Sequence, residues 1–89
     1  MASLFKLSIL TPEKTLFEGD VQYLEAPGTE GYFGVLAHHA ALVTALSVGT
    51  LTVRAASGTE ERWQVAGGFF EVSNNVATVL ADAVTVAKS

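Results

Sequence analysis

Along most of the chain, apolar and polar residues alternate with a period of two, and turn residues break the pattern roughly every 8 to 12 positions, the spacing of an all-β sandwich or barrel. Phe5, Leu7 and Ile9 alternate with Lys6 and Ser8 until Thr11-Pro12-Glu13 stops the run. Val21 and Tyr23 flank Gln22, and Ala26-Pro27-Gly28 closes that strand. Leu51, Val53 and Ala55 alternate with Thr52 and Arg54, Ser57-Gly58 turns the chain, and Trp63 and Val65 return, which predicts a hairpin. A second hairpin pairs residues 69–72 with 76–80 across Ser73-Asn74-Asn75. Helical spacing competes only over residues 36–46, where Leu36, Ala40 and Val43 lie at helical intervals. A helix that short is marginal, and Val43, Thr44 and Leu46 favour extended backbone, so a short turn leading into a strand is expected there.

With 49% hydrophobic and 16% charged residues, the chain lies far from the composition that stays disordered. Size scaling predicts about 5,000 Å² of surface after folding against roughly 13,500 Å² unfolded, enough burial for one core. Residues 1–89 are therefore read as one domain. The chain holds no cysteine, so disulfides and thiolate chemistry are excluded, which fits a reducing compartment. The net charge is −4, and the five basic residues are scattered singly, a balance that repels nucleic acid and anionic lipid alike. No apolar run reaches the ~18 residues of a membrane span, and no basic-then-apolar leader opens the chain. Membrane association is expected only indirectly, through a protein partner.

The chemistry-bearing residues form no catalytic constellation. His38 and His39 are adjacent, so on a strand they point to opposite faces and on a helix diverge by about 100°; neither geometry lets the pair grip one metal ion. No nucleophile elbow is present, and no acidic residue lies beside the imidazoles to orient them. Gly28, Gly31 and Gly34 recur every third residue, but the Lys-Ser/Thr of a phosphate loop does not follow, so glycine is read as serving a tight turn that displays Glu30 and Tyr32. Gly67-Gly68 reads as a bulge or a corner where a strand changes sheets. Trp63 is assigned to the core, Glu71 to the solvent face and Asp82 to the end of the last strand. No cofactor and no metal site are expected. On these residues alone, a small ligand- or carbohydrate-binding β-sandwich module working through the glycine-rich turn and Tyr32 is one functional reading.

Two long stretches carry a second. GTEGYFGVLAHHAALVTALSVG has a glutamate between glycines, then His-Ala and Leu-x-Thr before a further glycine; VAGGFFEVSNNVATVLADAV has a paired glycine, two bulky apolar residues, Glu-Val and a closing Val-Leu-Ala-Asp. Together with SILTPEKTLFEG near the start, they resemble the epsilon subunit of F-type ATP synthases over essentially the whole chain. The resemblance implies that family's amino-terminal domain, a flattened β-sandwich of about ten short antiparallel strands in two sheets. It implies a non-catalytic subunit of the central stalk that binds the γ subunit and the polar loops of the c-ring and couples proton flow to ATP synthesis. The expected site is peripheral, on the cytoplasmic face of a bacterial plasma membrane, with the plastid thylakoid as alternative. Carried over by position, the γ-facing residues fall on Thr11, His39 and Thr44, and the c-ring-facing turn on Thr29, Glu30, Gly31 and Tyr32. His38 stands where that family commonly has glycine, Tyr32 where an acidic residue is frequent, and Ala41 where proline is usual. The family's carboxy-terminal helical hairpin, which brakes ATP hydrolysis, has no counterpart in these 89 residues.

Overall fold

In a computed structural model, which describes residues 3–86, the alternating runs become seven strands: β1 Phe5–Leu10, β2 Thr15–Gly28, β3 Gly31–Val35, β4 Leu42–Ala55, β5 Glu60–Ser73, β6 Val76–Ala81 and β7 Val84–Val86. Hydrogen bonding follows the order β1-β6-β5-β4-β2-β3, β1 also pairs with β2, and β7 pairs with β5. Five strands thus close a ring, with β3 and β7 attached outside it. Three of the strands, β2, β4 and β5, are 14 residues long and take part in both layers of the sandwich. One layer holds β3, the second half of β2, the second half of β4, the first half of β5, and β7. The other holds the first half of β2, β1, β6, the second half of β5 and the first half of β4. Counted by layer, the seven strands make ten segments, as the resemblance implies.

The expectation of antiparallel pairing throughout is corrected at one place, because β1 and β6 run parallel, Lys6 opposite Val76 through Leu10 opposite Leu80. Parity requires this. Strand direction cannot alternate all the way round a ring of five, so at least one neighbouring pair must be parallel. It falls on two strands joined by no tight turn, since a two-residue loop can serve only antiparallel neighbours.

The corner of β5 lies at Gly67-Gly68, where its pairing on one edge passes from β7 to β6. Both glycines have positive φ, 81° and 123°. A Cβ on Gly68 would run into the Leu80 carbonyl and lie 2.7 Å from the Ala81 Cα, so only glycine lets β5 pass this close to β6. The turn before β6 is equally local. Asn74 and Asn75 have φ of 52° and 64°, the left-handed pair of a two-residue hairpin between Ser73 and Val76, and asparagine tolerates that region better than most residues. Residues 36–41 form the expected turn before a strand, with no helix.

One apolar core fills the space between the layers. Phe5, Leu7 and Ile9 of β1, Leu51 and Val53 of β4, and Phe70 and Val72 of β5 are all at most 2% exposed, and no polar residue is buried among the described ones. Aromatic pairs bridge the two layers: Phe33 meets Phe70 with ring centroids 5.2 Å apart, and Phe17 meets Trp63 edge-on at 5.8 Å. Trp63, as assigned, is a core residue.

Candidate docking surfaces

The outer faces of the two layers differ in chemistry. On the layer that contains β3 and β7, Thr50 faces Gln64, Thr52 faces Arg62 and Arg54 faces Glu60 across β4 and β5. Glu60 accepts from Arg62 at 3.0 Å and from Arg54 at 3.5 Å. On the layer built around β1 and β6, the residues that point outward at one end form an unbroken apolar row over four strands: Leu10 beside Leu80, Leu80 beside Phe69, Phe69 beside Ala45. Phe69 is 59% exposed and Leu80 46% exposed, with exposed Val43 and Val76 on the same face. The next row carries Ser8, Thr78 and Glu71 and ends on Val43, so the patch has a polar border on β1, β6 and β5 and runs on along β4. Glu71 lies on the solvent face as expected.

Thr11, His39 and Thr44 lie around this second layer and do not converge. Thr11 follows the last residue of β1; its backbone N–H donates to the Lys14 carbonyl at 2.9 Å, and it lines a shallow cleft of about 270 Å³ with Lys14, Asp82 and Ala83. Thr44 is half-buried on β4, opposite Phe70. His39 sits in the β3–β4 connection at the other end of the layer, separated from Thr11 by the length of β6, roughly 17 Å at 3.3 Å per residue. It is half-buried, its Nδ1 lies 2.7 Å from the Ala40 carbonyl oxygen, and its backbone N–H donates to the Leu36 carbonyl at 3.2 Å. His38 precedes it with φ of 65°, left-handed backbone that explains why glycine suits this position in the resembling family. Its N–H donates to Asn75 Oδ1 at 2.7 Å. The described residues contain no group of three or more His, Asp or Glu side chains able to hold a metal ion.

Thr29, Glu30, Gly31 and Tyr32 form the tip of the β2–β3 hairpin, where Gly28 pairs with Gly31. Tyr32 is 56% exposed, yet it is braced rather than free: its hydroxyl accepts the Thr50 N–H at 2.9 Å. The ring crosses Gly49, where a Cβ would come within 2.6 Å of the hydroxyl and 2.7 Å of Pro27 Cβ. Thr29 N–H donates to the Ala45 carbonyl at 3.2 Å, and the Ser47 hydroxyl lies 3.4 Å from the Pro27 and Gly28 carbonyl oxygens. The hairpin is thereby tied to the middle of β4. A cleft of about 360 Å³ opens between its tip and the start of β4, lined by Glu30, Gly31, Tyr32 and Phe33 on one side and Leu42, Val43 and Thr44 on the other. So the structure brings the turn and Thr44 to one cleft and leaves Thr11 and His39 apart from it.

Sequence reasoning passed over the apolar row, although the signal was present. Phe69 and Phe70 are adjacent in a strand, so one of them must face outward. Likewise Val76 and Leu80 share the outward phase of β6, while Ala77 and Val79 take the inward one.

A family model described as the β-sandwich domain of the ATP synthase delta/epsilon chain matches residues 4–87. The ATP synthase epsilon chain of Desulforamulus reducens is 48% identical over 82 residues, which are 92% of this chain and 61% of that one. That of Chlorobaculum tepidum is 43% identical over 81 residues, covering 91% of this chain and 92% of that one. The chain spans 55–61% of the length of the first several relatives it matches. Among solved structures, a chain of the Euglena gracilis mitochondrial ATP synthase, in an assembly of OSCP, F1 and c-ring, superposes with a TM-score of 0.89 at 24% identity, covering 97% of this chain and 55% of that one. A chain of the Tetrahymena thermophila mitochondrial ATP synthase central stalk and c-ring gives 0.79 at 17% identity, over 96% and 68% of the two chains. Matched by the family model over nearly its full length, and sharing the sandwich of these assemblies, the chain belongs to the ATP synthase delta/epsilon chain family.

Proposed function

We propose that this chain is a non-catalytic part of the central stalk of an F-type ATP synthase, gripping the γ subunit with the outer face of its β1–β6 layer and meeting the polar loops of the c-ring with the β2–β3 tip. The observation that carries this reading is the Leu10–Leu80–Phe69–Ala45 row. A β-sandwich has no internal need for an exposed aromatic beside an exposed leucine, and an apolar patch with a polar border is what a protein interface presents. Thr11 and His39 stand around that patch and supply polar contacts at its rim, while Thr44, on the opposite phase of β4 beside Phe70, would be met from the cleft it shares with the β2–β3 tip. The tip residues Thr29, Glu30, Gly31 and Tyr32 lie on a hairpin braced against β4, a rigid probe suited to passing torque. The chain would thus help couple proton flow to ATP synthesis and be held at the cytoplasmic face of the membrane only through the complex. Phe69→Glu tests the reading. Binding to a γ-containing subcomplex, measured by titration calorimetry, should weaken by about 2 kcal/mol or more, as for the loss of an aromatic anchor. Unchanged affinity in the folded variant would overturn it.

A further inference from the structure

One side chain in the β5–β6 turn reaches two other segments at once. Asn75 accepts the His38 N–H on Oδ1 at 2.7 Å and donates from Nδ2 to the Leu4 carbonyl at 2.9 Å. Its own carbonyl accepts the Lys6 N–H at 3.2 Å. The entry to β1, the β3–β4 connection and the β5–β6 turn, far apart in sequence, are therefore clasped by a single residue. Among the described residues, the hydrogen bond that ties positions 36–41 to another segment is the one from His38 to Asn75; the others, His39 to the Leu36 carbonyl and to the Ala40 carbonyl, stay within the connection.

We infer that Asn75 is a positioning residue for the proposed γ-facing histidine: by holding the His38 amide it fixes the left-handed turn from which His39 leaves. The inference rests on the γ reading above. Few residues fit this role. The position needs φ near 64°, which asparagine tolerates, together with an acceptor for His38 and a donor for Leu4, which a primary amide supplies from one group. Aspartate keeps only the acceptor, and glycine keeps only the backbone. Without the clasp, the connection samples other conformations, and γ then binds only the fraction in which His39 is correctly placed.

Asn75→Gly separates this role from that of the hairpin, because glycine preserves the turn while removing both side-chain bonds. In the 89-residue chain the His38 amide should lose protection against hydrogen exchange, and affinity for a γ-containing subcomplex should fall about fivefold, as expected when the competent conformer becomes a minority. Adding His39→Ala to Asn75→Gly should cost several-fold less affinity than His39→Ala costs in the wild type, because the histidine is no longer held in place. Asn75→Asp should keep His38 protected and most of the affinity. An unchanged His38 amide in Asn75→Gly, or losses from the two substitutions that multiply independently, would overturn the inference while leaving the γ reading intact. A wild-type chain with no affinity for γ would overturn that reading, and this inference with it.

Discussion

At Gly68 a single absent methyl group decides whether β5 can turn its corner. Gly68→Ala must place a Cβ against the Leu80 carbonyl and the Ala81 backbone at a φ of 123°, where the obstacle is main chain that cannot swing aside. It should destabilise the domain by about 2–4 kcal/mol, read as a lowered midpoint in thermal or urea unfolding. His39 belongs to the other class of residue. It is half-buried, and the partner of its Nδ1 is the adjacent carbonyl, so His39→Ala should change the unfolding midpoint little while weakening γ binding by about 1 kcal/mol. A large fall in stability would instead make it a core residue. The corner at Gly67-Gly68 was legible beforehand because a glycine pair inside an alternating run has few other uses. The clasp at Asn75 was not, because it joins residues as much as 71 positions apart, and alternation says nothing about such distances.

The hairpins were the most readable elements. Ser57-Gly58 and Ser73-Asn74-Asn75 mark turns between runs of matching period, and the structure tightens the second to the two asparagines, with Ser73 paired to Val76. The length of the strands was harder to read. β2, β4 and β5 each continue through a change of layer, so a bend that separates two segments in space leaves no break in the chain. The direction of β1 against β6 depends on ring closure, a property of the set of strands that no one segment encodes. The β2–β3 hairpin shows how an element becomes stiff by borrowing contacts. Tyr32→Phe deletes the acceptor for the Thr50 N–H but keeps the ring over Gly49. The loss should be modest, about 0.5–1 kcal/mol, because water can reach the freed amide. Hydrogen exchange should quicken at Thr50 and leave the β4–β5 ladder unchanged; exchange that stays slow at Thr50 would show that the hydroxyl is not the brace.

For the molecule as a whole, charge is a minor partner. The formal net charge is −4, and among the described residues the ion pairs Lys6–Asp20, Arg54–Glu60 and Arg62–Glu60 all lie at the surface. An interface centred on Phe69 and Leu80 should therefore depend weakly on ionic strength, with affinity for γ changing less than about threefold between 50 and 300 mM salt. A steep decline would move the binding site to the charged layer. Which layer carries the patch could not be read from any one segment, since each outer face is assembled from five. The closed ring has one more consequence, for how the molecule is made. Of the strands in the ring, the earliest made, β1, lies between β2 and β6, and β6 ends only at Ala81. During synthesis, β1 must therefore wait with one edge unzipped until β6 has been made. A nascent chain halted before Val76 would hold an incomplete cylinder, open to pairing with its neighbours on the same polysome.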